Sequence, residues 1–159
     1  MVRRQWLFDT LRSVFERHGF LPIQTPSFEN LSTLTGKYGE EGDQLIFKIL
    51  NNGDYLAKAS SDALDSKDSK AVLSSISKKA LRYDLTVPFA RFVVMHRNEL
   101  PVPCKRYQSP KVRRGDRPGK GGYKEFTQRD CDILGRASTR AALELSAAMP
   151  AGAQAVQVP

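Results

Sequence analysis

Apolar residues recur at helical spacing at the start of the chain. Trp6, Leu7, Leu11, Val14, Phe15 and His18 fall on one stripe, which predicts an amphipathic helix over residues 2–18. Gly19 follows as its C-cap, because glycine takes up the left-handed backbone that ends a helix without steric cost. The next stretch, FLPIQTPSFEN, holds two prolines; a residue with no N–H belongs in an extended segment at a sheet edge or an interface. QLIFKILNNGDYLAKA reads as two strands joined by a tight turn at Asn51-Asn52-Gly53-Asp54, since Asn-Gly favours positive φ. Residues 58–79, rich in Ser, Lys and Asp, predict a mobile loop with a weak helix inside it and no chemistry.

LRYDLTVPFARFVVMHRNEL predicts a short strand running into a helix, with Thr86 as its cap and Pro88 in its first turn. PVPCKRYQSPKVRR predicts a strand, a glycine-rich loop follows, and EFTQRDCDILG predicts its hairpin partner. RASTRAALELSAAM reads as a helix and PAGAQAVQVP as a frayed tail. Residues two apart on a strand share a face, so Phe126, Gln128, Asp130, Asp132 and Leu134 line one side. The preceding strand sets Arg106, Gln108, Val112 and Arg114 together, and pairing across the loop brings Arg114 beside Phe126. Such a face is too polar for a core. It offers a guanidinium for phosphate oxygens, a ring for a base to stack on, and an amide and carboxylates for an ammonium or imidazole. The competing reading is a solvated strand face beside a basic surface loop.

Composition narrows this further. With 159 residues the chain has the length of one domain, and 25 Lys and Arg against 17 acids leave a net charge of +8. Basic residues far outnumber the two acids, Asp116 and Glu125, between Lys105 and Arg129, which favours a polyanionic partner. No apolar run is long enough to span a membrane, and the charged N-terminus is unlike a secretory signal. The two cysteines, Cys104 and Cys131, lack metal-ligand spacing and read as reduced cytoplasmic thiols. GDRPGKGGY lacks the spacing of a P-loop. His18 and His96 both read as packed or interface residues and not as general bases.

VRRGDRPGKGGYKEF followed by TQRDCDILG resembles motif 2 of the class II aminoacyl-tRNA synthetases, and more narrowly that of the histidyl-tRNA synthetases. Residues 2–30 resemble motif 1, with Pro26 as its proline, and LRYDLTVPFARFV, within 81–93, resembles the histidine-specific segment of that family. YGEEGDQLIFKILNNGDY also matches, so the resemblance covers residues 1–135, with motif 2 over about 105–135. It implies an α+β fold, an antiparallel sheet flanked by helices, here incomplete, with residues 136–159 of uncertain origin. It also implies ATP-dependent activation of L-histidine, with Mg²⁺, and transfer to tRNA-His in the cytoplasm, by a homodimer formed through the motif 1 region around Trp6, Leu11 and Phe15.

Residue by residue, the resemblance implies that Arg114 grips the α-phosphate, Asp116 lies near the ATP tail and Phe126 stacks on adenine. Asp84, Leu85, Thr86 and Gln128, with Arg114, form the histidine site, and Asp132 accepts a bond from the imidazole. Arg117, Lys120 and Lys124 in the loop 115–124 face the acceptor end of tRNA; no metal ligand from the protein is identified. Three departures stand out. Arg113 occupies the family's aromatic place before the motif arginine, which leaves open which arginine faces ATP. Gly122 replaces a loop arginine, and Thr127 and Arg129 replace a typical Tyr and Cys. The second histidine-binding segment, motif 3 and the anticodon-binding domain have no counterpart here, so a truncated core with little or no activity alone is expected. An unpaired sheet edge and self-association would follow. The alternatives are a non-catalytic regulatory subunit that senses histidine, against which Arg114 and Phe126 argue, and a small basic nucleic-acid-binding module, which has no need of Asp84, Gln128 and Asp132 together.

Overall fold

A computed structural model describes residues 2–117, 119, 122–135 and the positions 143, 146, 147, 151, 154 and 155. The alanine-rich helix and tail expected beyond residue 136 therefore fall almost wholly outside the described residues. In chain order the elements are α1 (Val2–Arg17), β1 (Leu21–Pro22), β2 (Phe28–Asn30), α2 (Leu31–Leu34), α3 (Gly39–Leu45), β3 (Lys48–Ile49), α4 (Ser61–Asp65), α5 (Ser69–Ile76), β4 (Lys79–Leu81), α6 (Thr86–Met95), β5 (Cys104–Gln108), β6 (Lys111–Arg113), β7 (Glu125–Thr127) and β8 (Asp130–Leu134). None of the described helices is long and apolar enough to cross a membrane. The chain divides into two compact units, residues 1–24, 96–109 and 129–159, and residues 25–95 and 110–128.

The first unit is built on α1. Val14 and Phe15 are its buried residues, and the helix ends as its sequence predicts, with Gly19 at φ +77° and the Phe20 N–H returning to the Phe15 carbonyl at 3.0 Å. Its sheet runs β1-β5-β8, with β1 parallel to β5 and β8 antiparallel to it. Pro22 lies on the edge strand, where its missing N–H costs no ladder bond. One sheet face, Tyr107 with Cys131 and Ile133, packs with Leu11, Phe15 and Phe20 of the helical segment. The Phe15 and Tyr107 ring centroids stand 5.4 Å apart, and the Tyr107 hydroxyl donates to Glu16 Oε1 at 3.0 Å. The opposite face carries Arg106 paired with Asp132 and Gln108 paired with Asp130, the polar series that the alternation predicts. Trp6, by contrast, is 55% exposed, so it contributes little to this core.

The second unit holds a sheet of order β2-β4-β3, all antiparallel, over a core of Leu31, Leu34, Ile46 and Ala80. Here the pattern misled. Gly53 has the positive φ that Asn-Gly predicts, at +76°, but residues 55–59 form turns and no second strand. The partner of β3 is β4, reached only after the segment expected to be a loop with a weak helix inside it. That segment contains two helices, α4 and α5; α5 is capped by Asp68, whose carboxylate accepts the N–H groups of Lys70 and Ala71. Arg82 is buried and ties three segments together, donating from Nε to the Lys111 carbonyl at 2.8 Å and from Nη1 to the Thr25 carbonyl at 2.6 Å. Glu29, also buried, is paired with Arg91 at 3.0 Å.

The expected single hairpin is two ladders. Within the second unit β6 pairs with β7 in the register Lys111↔Thr127, Val112↔Phe126, Arg113↔Glu125. The chain then breaks at Ser109-Pro110 and Gln128-Arg129, where the Gln128 N–H reaches the Pro110 carbonyl at 3.1 Å. Pro110 has no N–H with which to continue the ladder, and β5 with β8 forms the separate pairing already described.

Candidate functional site

β6 and β7 deliver Arg114 to its position. One residue past β6, its N–H bonds the Lys124 carbonyl at 3.0 Å and closes the ribbon. The guanidinium lies over two rings, 4.6 Å from the Tyr83 centroid and 5.1 Å from that of Phe126. Its Nε donates to the Tyr83 carbonyl at 3.2 Å and its Nη2 to Gln128 Oε1 at 3.3 Å. Arg114, Phe126 and Gln128 are thus adjacent, as the strand alternation predicts. The neighbouring arginine is occupied elsewhere: Arg113 Nη2 stands 2.7 Å from Glu125 Oε2, its partner across the ladder. Lys111 bonds the same carboxylate, and that bond, with the Arg113 charge, holds the Glu125 carboxyl below its usual range despite some loss of hydration. Of the two arginines, Arg114 is the one that joins the aromatic cluster.

Asp84 sits one residue beyond Tyr83 in the turn from β4 into α6. Its Oδ1 accepts the Thr86 N–H at 3.2 Å and the Tyr38 hydroxyl at 2.7 Å. The Asp84 carboxylate thus closes an Asx turn onto the helix start; Thr86, expected as the cap, is the first helical residue, Leu85 precedes it with its carbonyl accepting the Phe89 N–H at 3.1 Å, and Pro88 is buried in the first turn. Leu85 is fully buried. The Tyr38 and Tyr83 rings stand 4.7 Å apart, so a run of contacts joins Tyr38, Asp84, Tyr83, Arg114, Phe126 and Gln128. Burial pushes the Tyr38 phenol well above its usual range, and the bond to Asp84 and its negative charge push it further.

The first unit holds Asp132. Its carboxylate forms an ion pair with Arg106, whose side chain is only 1% exposed. Burial pushes the Asp132 carboxyl up, Arg106 draws it down, and Asp130 adds to the upward push. Cys104 and Cys131 are free thiols. His96 Nδ1 lies 3.0 Å from Glu99 Oε2 and the residue is only half-buried; His18, half-buried, offers its carbonyl to Lys105.

Asp116, Arg117 and Lys124 are exposed, while Lys120 lies outside the described residues. The loop begins with a close approach, the Gly115 N–H donating to the Leu45 carbonyl at 2.7 Å. A Cβ at Gly115 would lie 3.1 Å from that oxygen, a tight approach that glycine avoids. A cleft of about 500 Å³ in the second unit is lined by Asn30, Leu31, Lys70, Leu73 and Ser74 among others, none of them in the Arg114 cluster. Sequence reasoning missed Tyr38, Tyr83 and the burial of Arg106. Nothing local in the sequence marks Tyr38; the structure shows why Gly42 follows it, since any Cβ there would collide with that of Tyr38.

No family model matches the chain. The chain is 60% identical over 135 residues to the histidine–tRNA ligase of Christiangramia forsetii, covering 85% of this chain and 30% of that protein. It is 55% identical over 145 residues to that of Porphyromonas gingivalis, covering 91% and 32%. Among solved structures it resembles the histidyl-tRNA synthetase from Nostoc, at 30% identity and a TM-score of 0.67 over 97% of this chain and 29% of that one. A pyrrolysyl-tRNA synthetase from Desulfitobacterium hafniense shares the fold, with a TM-score of 0.70 at 16% identity, covering 98% of this chain and 45% of that one. The chain thus spans about a third of the curated relatives it matches. The resemblance read from the motifs is borne out, as is the α+β, class II synthetase-like fold.

Proposed function

We propose that this chain, whose relatives are histidine–tRNA ligases, carries the motif 1 and motif 2 part of a class II catalytic core over residues 1–135 and serves the activation of L-histidine. The observation that supports this best is the Arg114 cluster, which sets a guanidinium, an aromatic face, an amide and a carboxylate within one run of contacts. In this reading Arg114 grips the α-phosphate of ATP, Phe126 stacks on adenine and Asp116 lies near the ATP tail. Asp84, Thr86 and Gln128 hold the α-ammonium of histidine, with Leu85 fixing the turn between the first two. Asp132 accepts the imidazole N–H.

The histidine carboxylate attacks the α-phosphorus. A new O–P bond forms, the bond to the bridging oxygen breaks, and pyrophosphate leaves. Negative charge builds on the equatorial oxygens, where a fixed guanidinium stabilises it without reorganising. A hydroxyl of the terminal ribose of tRNA-His then attacks the histidyl carbonyl carbon; the ester C–O bond forms, the anhydride C–O bond breaks, and AMP and a proton leave, with Arg117, Lys120 and Lys124 presenting positive charge toward the tRNA. Among the described residues no cluster of three or more His, Cys, Asp or Glu is suited to a metal. Mg²⁺ in this proposal travels with the ATP phosphates. A homodimer through the motif 1 region and a cytoplasmic setting complete the reading.

Calorimetric titration with L-histidine, with and without ATP and Mg²⁺ and with lysine as control, tests it. Saturable histidine binding that tightens with ATP and disappears in Asp132→Ala is the expected result, with ATP–pyrophosphate exchange as the assay that follows. Histidine binding indifferent to ATP favours a histidine-sensing subunit, and binding of neither ligand refutes the assignment.

A further inference from the structure

We propose that Tyr38 is a positioning residue for amino-acid recognition, its hydroxyl fixing the Asp84 carboxylate so that the second oxygen meets the substrate's α-ammonium. The inference deepens the reading of Asp84 as the ammonium acceptor and rests on it. A carboxylate in a turn ordinarily rotates about its own axis, and either oxygen then meets a ligand. Here Oδ1 is engaged twice, by the Tyr38 hydroxyl at 2.7 Å and by the Thr86 N–H at 3.2 Å. Two donors on one oxygen set the plane of the group and leave Oδ2 to an incoming cation.

Tyr38 is itself held from three sides. Its ring packs 4.7 Å from Tyr83, which in turn carries the Arg114 guanidinium at 4.6 Å. It packs, partly buried, against the apolar cluster of Leu31, Leu34, Ile46 and Ala80. It also lies against Gly42 of α3, where no side chain other than hydrogen fits beside the Tyr38 Cβ. The glycine preserves this approach, and the hydroxyl is delivered to Asp84 across a separation of 46 residues. Local turn formation cannot account for such a contact. The phenol remains protonated because burial and the adjoining carboxylate both disfavour its anion, so it stays a donor throughout the neutral range. A pre-set carboxylate loses less freedom when the ammonium binds, which is how preorganisation increases affinity.

The test is Tyr38→Phe, which keeps the ring and removes only the donor. Affinities are measured by calorimetry for L-histidine and for its deamino analogue, 3-(imidazol-4-yl)propionate, on the full chain. The expected result is about a tenfold loss for L-histidine with the analogue unchanged, the size of one charge-assisted hydrogen bond. Gly42→Ala, which forces Tyr38 aside, is expected to reproduce the same selective loss. Equal weakening of both ligands would mean a packing role only and overturns the proposal. So does an unchanged L-histidine affinity in a protein that still prefers histidine to the analogue. If the wild-type chain fails to discriminate between the two ligands, the assignment of Asp84 falls, and the proposal with it.

Discussion

Replacing Arg106 by Met isolates the value of one buried ion pair. Arg106 is 1% exposed and its partner Asp132 is 47% exposed, so the two charges are solvated unequally. Removing one member of a fully buried pair costs about 3–5 kcal/mol, because the other charge is stranded without water. Asp132 is not stranded to that degree, and nearly half its side chain can be rehydrated. Met fills much of the aliphatic volume of arginine, and the desolvation of the guanidinium, which lowers its own pKa, is relieved. The expected loss at pH 7 is therefore about 1–2 kcal/mol, below the buried-pair range.

The pH dependence carries the sign. In the wild type, burial and Asp130 raise the Asp132 carboxyl above its unfolded value while Arg106 opposes them. Without Arg106 the folded-state value rises further. Between the unfolded and folded values the native state then binds more protons, so the variant's stability falls as pH rises through that window and recovers below it. Urea titrations followed by the fluorescence of Trp6, the chain's one tryptophan and part of the same unit, read this at pH 4 and pH 7. The deficit of Arg106→Met is expected to shrink at the lower pH, and Asp132→Asn in the same background is expected to restore stability at pH 7. A variant as stable as the wild type at pH 7, or a deficit that does not respond to pH, would refute the argument.

Other substitutions test other joints of the molecule. Asp68→Ala removes the two bonds that start α5 and is expected to cost about 1 kcal/mol in urea unfolding, with Asp68→Asn largely retaining stability. Gly115→Ala places a Cβ 3.1 Å from the Leu45 carbonyl and threatens a 2.7 Å bond; a loss of about 1–2 kcal/mol is expected, measured by thermal unfolding. Arg114→Lys keeps the charge but cannot keep both hydrogen bonds and the planar stacking on Tyr83 and Phe126. The effect of ATP on histidine affinity is expected to be lost in that variant, with a stability change of about 1 kcal/mol at most.

What the sequence disclosed and what it hid divide along sequence distance. The end of α1 was legible because Gly19 acts on residues within one turn of itself. The adjacency of Arg114 and Phe126 was legible because strand alternation and a connecting loop determine it. The Asn-Gly signal was read correctly as backbone and wrongly as a hairpin: Gly53 has its positive φ, yet β3 pairs with β4 some thirty residues later. A turn residue dictates local dihedrals, and the strand partner is chosen by packing that no local pattern encodes. Asp68, by contrast, was a missed local signal, since an N-cap residue ahead of KAVLSSI is what starts a helix. The start of α6 was misplaced by one residue, because Thr86 is itself helical and the polar group that serves the helix start is the Asp84 carboxylate in the preceding turn.

The candidate site follows the same division, and this bears on how it would evolve. Arg114, Phe126 and Gln128 share one ribbon and can be recognised as a motif. Tyr38 and Arg106 come from outside that pattern. Each contacts a proposed ligand-binding carboxylate within its own unit, Asp84 for the one and Asp132 for the other. A carboxylate that meets a ligand must remain partly solvated, so it needs a partner to hold its orientation. That partner must be buried enough to stay still, and burial is supplied by whichever distant segment covers the site. The residues that touch ligand are then bound to a motif by the chemistry, while those that aim them are free to change with the surrounding core. Tyr38 satisfies this with a neutral donor and Arg106 with a cation. The two supports are therefore expected to respond differently to salt: the stability cost of Tyr38→Phe should be nearly insensitive to ionic strength, since the donor carries no formal charge, whereas the coupling between Arg106 and the half-exposed Asp132 should weaken as salt is raised.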